Sequence, residues 1–207
     1  MKDEARMSNN EVYLYGVVEE APKFAYESNG EKFYDCMLKV DRLSGVADVL
    51  PVTIAGKFKP EQIHKDEHIY LRGEFRSFNK LENERSRLYL TVFVRELLDS
   101  AVPPKNPNQI SLYGYICKAP TYRITPFNRE ITDVLLAVNR AYNKSDYIPC
   151  IAWGRNAEFT GHLSVGTQVE LKGRIQSRQY KKKTESGEEI RTAYEVSISF
   201  ISANYKD

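Results

Sequence analysis

The chain has 207 residues, 42% hydrophobic and 28% charged, with a formal net charge of +2; these values fit one or two ordinary soluble domains. No run of 18 or more apolar residues occurs, so no membrane-spanning helix is expected. The start, Met1-Lys2-Asp3-Glu4-Ala5-Arg6, lacks the apolar stretch of a signal peptide, and a cytosolic protein is expected.

In chain order, residues 1–8 read as a polar leader that frays. Strands are predicted near 11–19, 32–42, 49–56, 68–78 and 86–97, where β-branched and aromatic residues alternate with polar ones. Asn29-Gly30 marks a hairpin turn between the first two. Lys57–Lys65 has room for one short helix. A proline-rich stretch containing Pro103, Pro104 and Pro107 then interrupts strand pairing and reads as a linker over 99–107. Strands follow near 109–117, 131–141, 147–154, 168–180 and 191–202. A second short helix is predicted over Arg155–Leu163, and a hairpin turn at Ser186-Gly187.

The two series are one sequence written twice. Asn10-Glu11-Val12-Tyr13-Leu14-Tyr15-Gly16 returns as Asn108-Gln109-Ile110-Ser111-Leu112-Tyr113-Gly114, and Leu38-Lys39-Val40-Asp41-Arg42 as Leu136-Ala137-Val138-Asn139-Arg140, at an offset of 98. Leu71-Arg72-Gly73 returns as Leu171-Lys172-Gly173, at an offset of 100. A period this long is a duplicated domain, not a solenoid. Five curved strands with a short helix after the third is the OB-fold pattern, so the expected class is all-β, two tandem five-stranded barrels. The expected boundaries are 1–98, 99–107 for the linker and 108–207.

In the fourth strand of the second half, Val169, Leu171, Gly173 and Ile175 point inward. Glu170, Lys172, Arg174, Gln176, Arg178 and Tyr180 point outward. Ile69, Leu71, Gly73 and Phe75, against His68, Tyr70, Arg72, Glu74, Arg76 and Phe78, repeat the pattern in the first half. The halves differ in charge. Residues 9–100 carry 13 Lys/Arg against 16 Asp/Glu, a net of −3, and residues 105–207 carry 15 against 10, a net of +5. A basic half beside an acidic one points to a polyanion met by the second half.

That half also places aromatic rings among cations. Tyr180 shares a strand face with Lys172, Arg174 and Arg178 and is followed by Lys181, Lys182 and Lys183. Tyr147 and Trp153 share the outward face of the third strand, flanked by Arg140, Tyr142 and Arg155. Exposed bases of a single strand stack on such rings at about 1–3 kcal/mol each, while cations take the phosphates. A duplex gains only the phosphate term.

Cys36, Cys117 and Cys150 are odd in number and unmatched between repeats, and read as buried free thiols. His64 and His68 have no third partner for a metal. Walker, GxSxG and HExxH motifs are missing, and Asp35 and Asp133 have no neighbouring carboxylate; no enzyme, cofactor or metal is expected.

Taken together, residues 108–202 resemble the bacterial single-stranded DNA-binding protein (SSB) family. Asn108–Gly114, Leu135–Arg140, Tyr147–Gly154 and Val165–Tyr180 are similar to its first four strands, and 10–97 resembles it more weakly. The resemblance implies sequence-tolerant binding of single-stranded DNA in replication, recombination or repair, with base stacking on Tyr142, Tyr147, Trp153 and Tyr180. It implies a homodimer that brings four OB folds together, and a bacterial cytoplasmic, nucleoid-associated setting. The first half departs from it, with Ser44, Val49, Ala55 and Lys80 at the four aromatic positions. So does the carboxyl end, Ser202–Asp207, where the family usually adds a linker and an acidic tip that recruits replication and repair proteins. The alternatives are an accessory OB protein of a primosome or mobile element, an RNA binder, and a module for protein contacts alone.

Overall fold

Strand-forming residues alternating between one buried and one wet face build most of the eleven strands found among the described residues of a computed structural model. It covers residues 8–82, 85–99, 102–184 and 187–204; the side chains of 82, 85, 183 and 184 are outside the description. The leader up to residue 7, linker residues 100 and 101, Ser186 of the predicted turn, the Lys183 side chain and residues 205–207 therefore lie outside the described residues.

The first half contains β1 (Asn10–Ser28), β2 (Glu31–Asp41), β3 (Ala47–Ala55), β4 (His68–Glu82) and β5 (Arg85–Leu98). They pair in the order β2-β3-β5-β4-β1, and a further β1–β2 pairing closes them into a barrel. In the second half, β6 (Asn108–Ile116), β8 (Glu130–Asn139), β9 (Ser145–Trp153), β10 (Gln168–Thr184) and β11 (Gly187–Asn204) close in the same way through β6–β8. A short strand β7 (Thr121–Ile124) is added beside β8. Leu14, Leu38, Leu71 and Phe75 fill one barrel, and Leu112, Leu136, Ile148 and Leu171 the other. The inward glycines Gly73 and Gly173 sit where β4 and β10 bend across their partners. A Cβ there would strike the Phe93 or Ser197 carbonyl, so no side chain is accommodated.

The barrels share a sheet. Val12 pairs with Gly73 on one side and with Ile110 on the other, so β1 lies between β4 and β6. Val12 and Ile110 are equivalent in the repeat and face each other, while Asn10 meets Leu112 and Leu14 meets Asn108. The register is thus self-complementary about Val12 and Ile110, an internal pseudo-twofold like that of a symmetric dimer. Each of the two strands covers what would otherwise be an open edge of its neighbour.

Several elements depart from the sequence expectation. β1 continues to Ser28, and the β4–β5 and β10–β11 hairpins run on to Glu82/Arg85 and Thr184/Gly187. These arms project past the barrels, where neither face is buried and alternation carries no signal. After β3 there is no α-helix but two 3-10 turns, Gly56–Phe58 and Pro60–Gln62, split by Lys59 in the left-handed region (φ 52°). Pro60 cannot donate a helical hydrogen bond across that break. After β9 the expected helix forms as α1 (Arg155–Gly161). Cys36 and Cys150 are buried free thiols, and burial pushes the Cys36 thiol up to about 12. Cys117 is instead partly exposed at the end of β6, where its Sγ–H donates to the Leu135 carbonyl.

Candidate nucleic-acid interface

β9 carries Tyr147 and Trp153 outward while Ile148, Cys150 and Ala152 are buried, as strand alternation requires. The two rings stand six residues, or about 20 Å, apart along the strand. Tyr142 lies in the β8–β9 loop with φ 60° and ψ 37°, a left-handed conformation costly for a residue with a Cβ. Tyr180 stands on the β10 arm with the Arg178 guanidinium 5.9 Å from its ring centre. Exposure is 94% for Tyr142, 44% for Tyr147, 39% for Trp153 and 38% for Tyr180, so each presents a ring to solvent.

The predicted cations separate into groups. Arg174 and Arg178 line one groove of about 450 Å³ with Trp153. Arg140 instead turns to Asp146 at 3.4 Å, and Lys172 lies near Glu170 at 3.7 Å beside β6. Lys181 pairs with Glu188 at 3.1 Å on the exposed arm, which also carries Lys182. Arg155 is exposed in the first turn of α1. Gln176, outward by alternation, is nonetheless buried; its Nε2 donates to Glu195 Oε1 at 2.8 Å.

Sequence reasoning missed how the barrels lock together beside this groove. Asp48, fully buried at the start of β3, accepts two hydrogen bonds from Arg42 at 2.6 Å each. It also accepts from the backbone N–H (2.7 Å) and hydroxyl (3.0 Å) of Ser177 in the other barrel. Burial alone would raise the Asp48 carboxyl, but the Arg42 and Ser177 hydrogen bonds prevail and hold it below its usual value. The pseudo-twofold repeats the lock. Asp146, also fully buried, accepts from Ser77 N–H at 2.8 Å and from Arg76 at 3.0 Å, and Tyr147 N–H donates to Ser77 Oγ at 2.7 Å. The signal was present: Asp48 and Asp146, Ser77 and Ser177, and Arg42 and Arg140 each recur at the repeat offset.

The rings and cations of the second barrel fall within residues 107–203, which match the model of the single-strand binding protein family. Single-stranded DNA-binding protein B of Bacillus subtilis is 36% identical over 81 residues, covering 36% of this chain and 72% of that protein. The chain belongs to the single-strand binding protein family. The single-stranded DNA-binding protein of Clostridium tetani is 36% identical over 83 residues, 37% of this chain; the match spans only 57% of that relative's length. The wild-type single-stranded DNA binding protein of Thermus aquaticus has a similar fold. Its TM-score is 0.75 at 19% identity, with 96% of this chain and 94% of that one covered. For this family member, the fold likeness extends across both barrels, whereas the family model matches the second.

Proposed function

We propose that the chain binds single-stranded DNA with little sequence preference, chiefly through its second barrel, and so coats strands exposed in replication, recombination or repair. One observation carries the reading. Trp153 is half-exposed in a groove whose wall includes Arg129, Arg174 and Arg178 and no carboxylate, in the barrel that matches the family. A ring beside guanidiniums suits an unpaired base next to its phosphate. Tyr142, Tyr147 and Tyr180 supply further platforms, and Arg155 and Lys182 further charge, in a strand path that leaves the groove in both directions. Arg140, Lys172 and Lys181 play a smaller part, because each already faces a carboxylate.

The first barrel is the weaker binder in this reading. Its Arg72, Arg76 and Arg95 each face Glu96 or Glu74. A homodimer with four barrels, residence at the bacterial nucleoid and contacts with replication or repair proteins belong to the same proposal; the molar mass in solution tests the first of these.

Trp153 is the single tryptophan, so binding reports itself. Oligo-dT is expected to quench its fluorescence and a short duplex to do so weakly, with affinity falling as salt rises. Trp153→Ala or Tyr180→Ala, followed by anisotropy of a labelled oligonucleotide, should cost about 1–3 kcal/mol of binding. Changes at Ala55 or Lys80 should cost less, and equal losses in both barrels would refute the asymmetry.

A further inference from the structure

The pseudo-twofold creates two grooves between the barrels, and they differ where Glu74, Arg76 and Arg95 of one are replaced by Arg174, Gln176 and Ser199 of the other. In the groove bounded by Glu74, Arg76, Arg95, Arg140 and Asp146, every one of these guanidiniums has a carboxylate close by. Arg76 bonds Glu74 and Asp146, Arg95 meets Glu74 at 2.6 Å, and Arg140 meets Asp146 at 3.4 Å. In the other groove the residue equivalent to Glu74 is Arg174.

Arg174 sits among like charges. It lines the Trp153 groove together with Arg42, Arg129 and Arg178, and the adjoining cavity of about 420 Å³ with Arg42, Leu43 and Ser44 of the first barrel. Arg42 is neutralised by Asp48, and Arg178 lies 3.6 Å from Glu195. One carboxylate, Asp41, also lines this cavity. Among the described residues, Arg174 itself has only a neutral partner, Gln176 Oε1 at 3.1 Å from its Nη2. Its Nε is the one buried side-chain nitrogen or oxygen among the described residues with no hydrogen-bond partner. Burial, then the nearby Arg42 charge, lowers its pKa, and Asp48 only partly offsets this. A guanidinium that lines an open groove and has no carboxylate bonded to it can take an anion with two acceptor oxygens, which a phosphodiester provides.

We propose that the groove where the barrels meet is a phosphodiester subsite made by both of them. Resting on the function proposed above, it has the bound strand pass from Trp153 over Arg174 and Arg129 to the Ser44 loop of the first barrel. The mirror groove, closed by its own ion pairs, carries no strand. The acidic first barrel thus contributes to binding at its seam, without aromatic platforms of its own.

The test uses the full chain and oligo-dT longer than one barrel can hold, roughly 4–16 nucleotides per OB fold. Arg174→Glu gives this groove the residue of its mirror. It is expected to weaken binding roughly ten- to a hundredfold and to reduce the log–log salt slope by about 0.7 or more. Ser44→Glu, at an exposed turn, should weaken binding severalfold for long oligonucleotides and leave the melting temperature unchanged. Ser8→Glu, which places the same charge by the mirror groove, should leave affinity as it was. Unchanged binding by both Arg174→Glu and Ser44→Glu, with Trp153 still quenched, would overturn the subsite alone, as would an equal loss from Ser8→Glu. If the unsubstituted chain shows no quenching with oligo-dT, the proposed function fails and the subsite with it.

Discussion

Tyr142 combines nearly complete exposure with a left-handed backbone, and nothing packs on its ring to repay the strain. Tyr142→Gly should therefore be more stable than Tyr142→Ala by about 1 kcal/mol in urea unfolding, since only glycine fits that conformation freely. The two should lose oligo-dT affinity alike. A stability gain with unchanged binding would mean that the ring is no platform. At this scale the sequence told much: alternation along β9 placed Tyr147 and Trp153 outward, and they are exposed. It failed at Gln176, which is buried against Glu195, and it did not show what borders Arg174. Their outward direction was legible, but the first barrel's loop that borders them comes from 130 residues away, beyond the reach of any periodicity.

Strand existence was readable wherever a face is buried, because burial forces the alternation that betrays a strand. The exposed arms of β1, β4–β5 and β10–β11 have no such pressure, and β7, four residues with all side chains exposed, leaves no pattern. Pro22 shows how local chemistry separates the repeats. In the first half β1 absorbs it within a run of irregular pairing between Glu20 and Lys23; in the second the equivalent Pro120 falls in the gap between β6 and β7. The loop that begins β3 has a measurable consequence. Because the folded-state carboxyl of Asp48 lies below its unfolded value, its contribution to stability is present above about pH 4. It is lost as the pH falls through the folded value. Asp48→Asn should flatten that acid limb in melting curves taken from pH 6 down to about pH 2. It should also destabilise at neutral pH by roughly 3–5 kcal/mol, since Arg42 is left without its anion. An acid limb identical in the variant would show that the pair does not titrate as described.

Taken whole, the molecule is two barrels sharing β1–β6 and clasped by two buried carboxylates, one reaching in each direction. Such a seam couples their unfolding. Trp153 reports the second barrel alone, whereas far-ultraviolet circular dichroism reports both. Their urea transitions should coincide, and an early dichroism phase without change at Trp153 would show the first barrel melting independently. The mutual facing of Val12 and Ile110 has a further consequence. Two identical subunits meeting at such an axis would alter both of their clefts with every substitution. Here a covalent tether joins the copies, so one cleft keeps glutamate while the other takes arginine. The particle thereby gains a front and a back: one cleft closed by ion pairs and one lined by arginines, of which the subsite proposed above uses only the second.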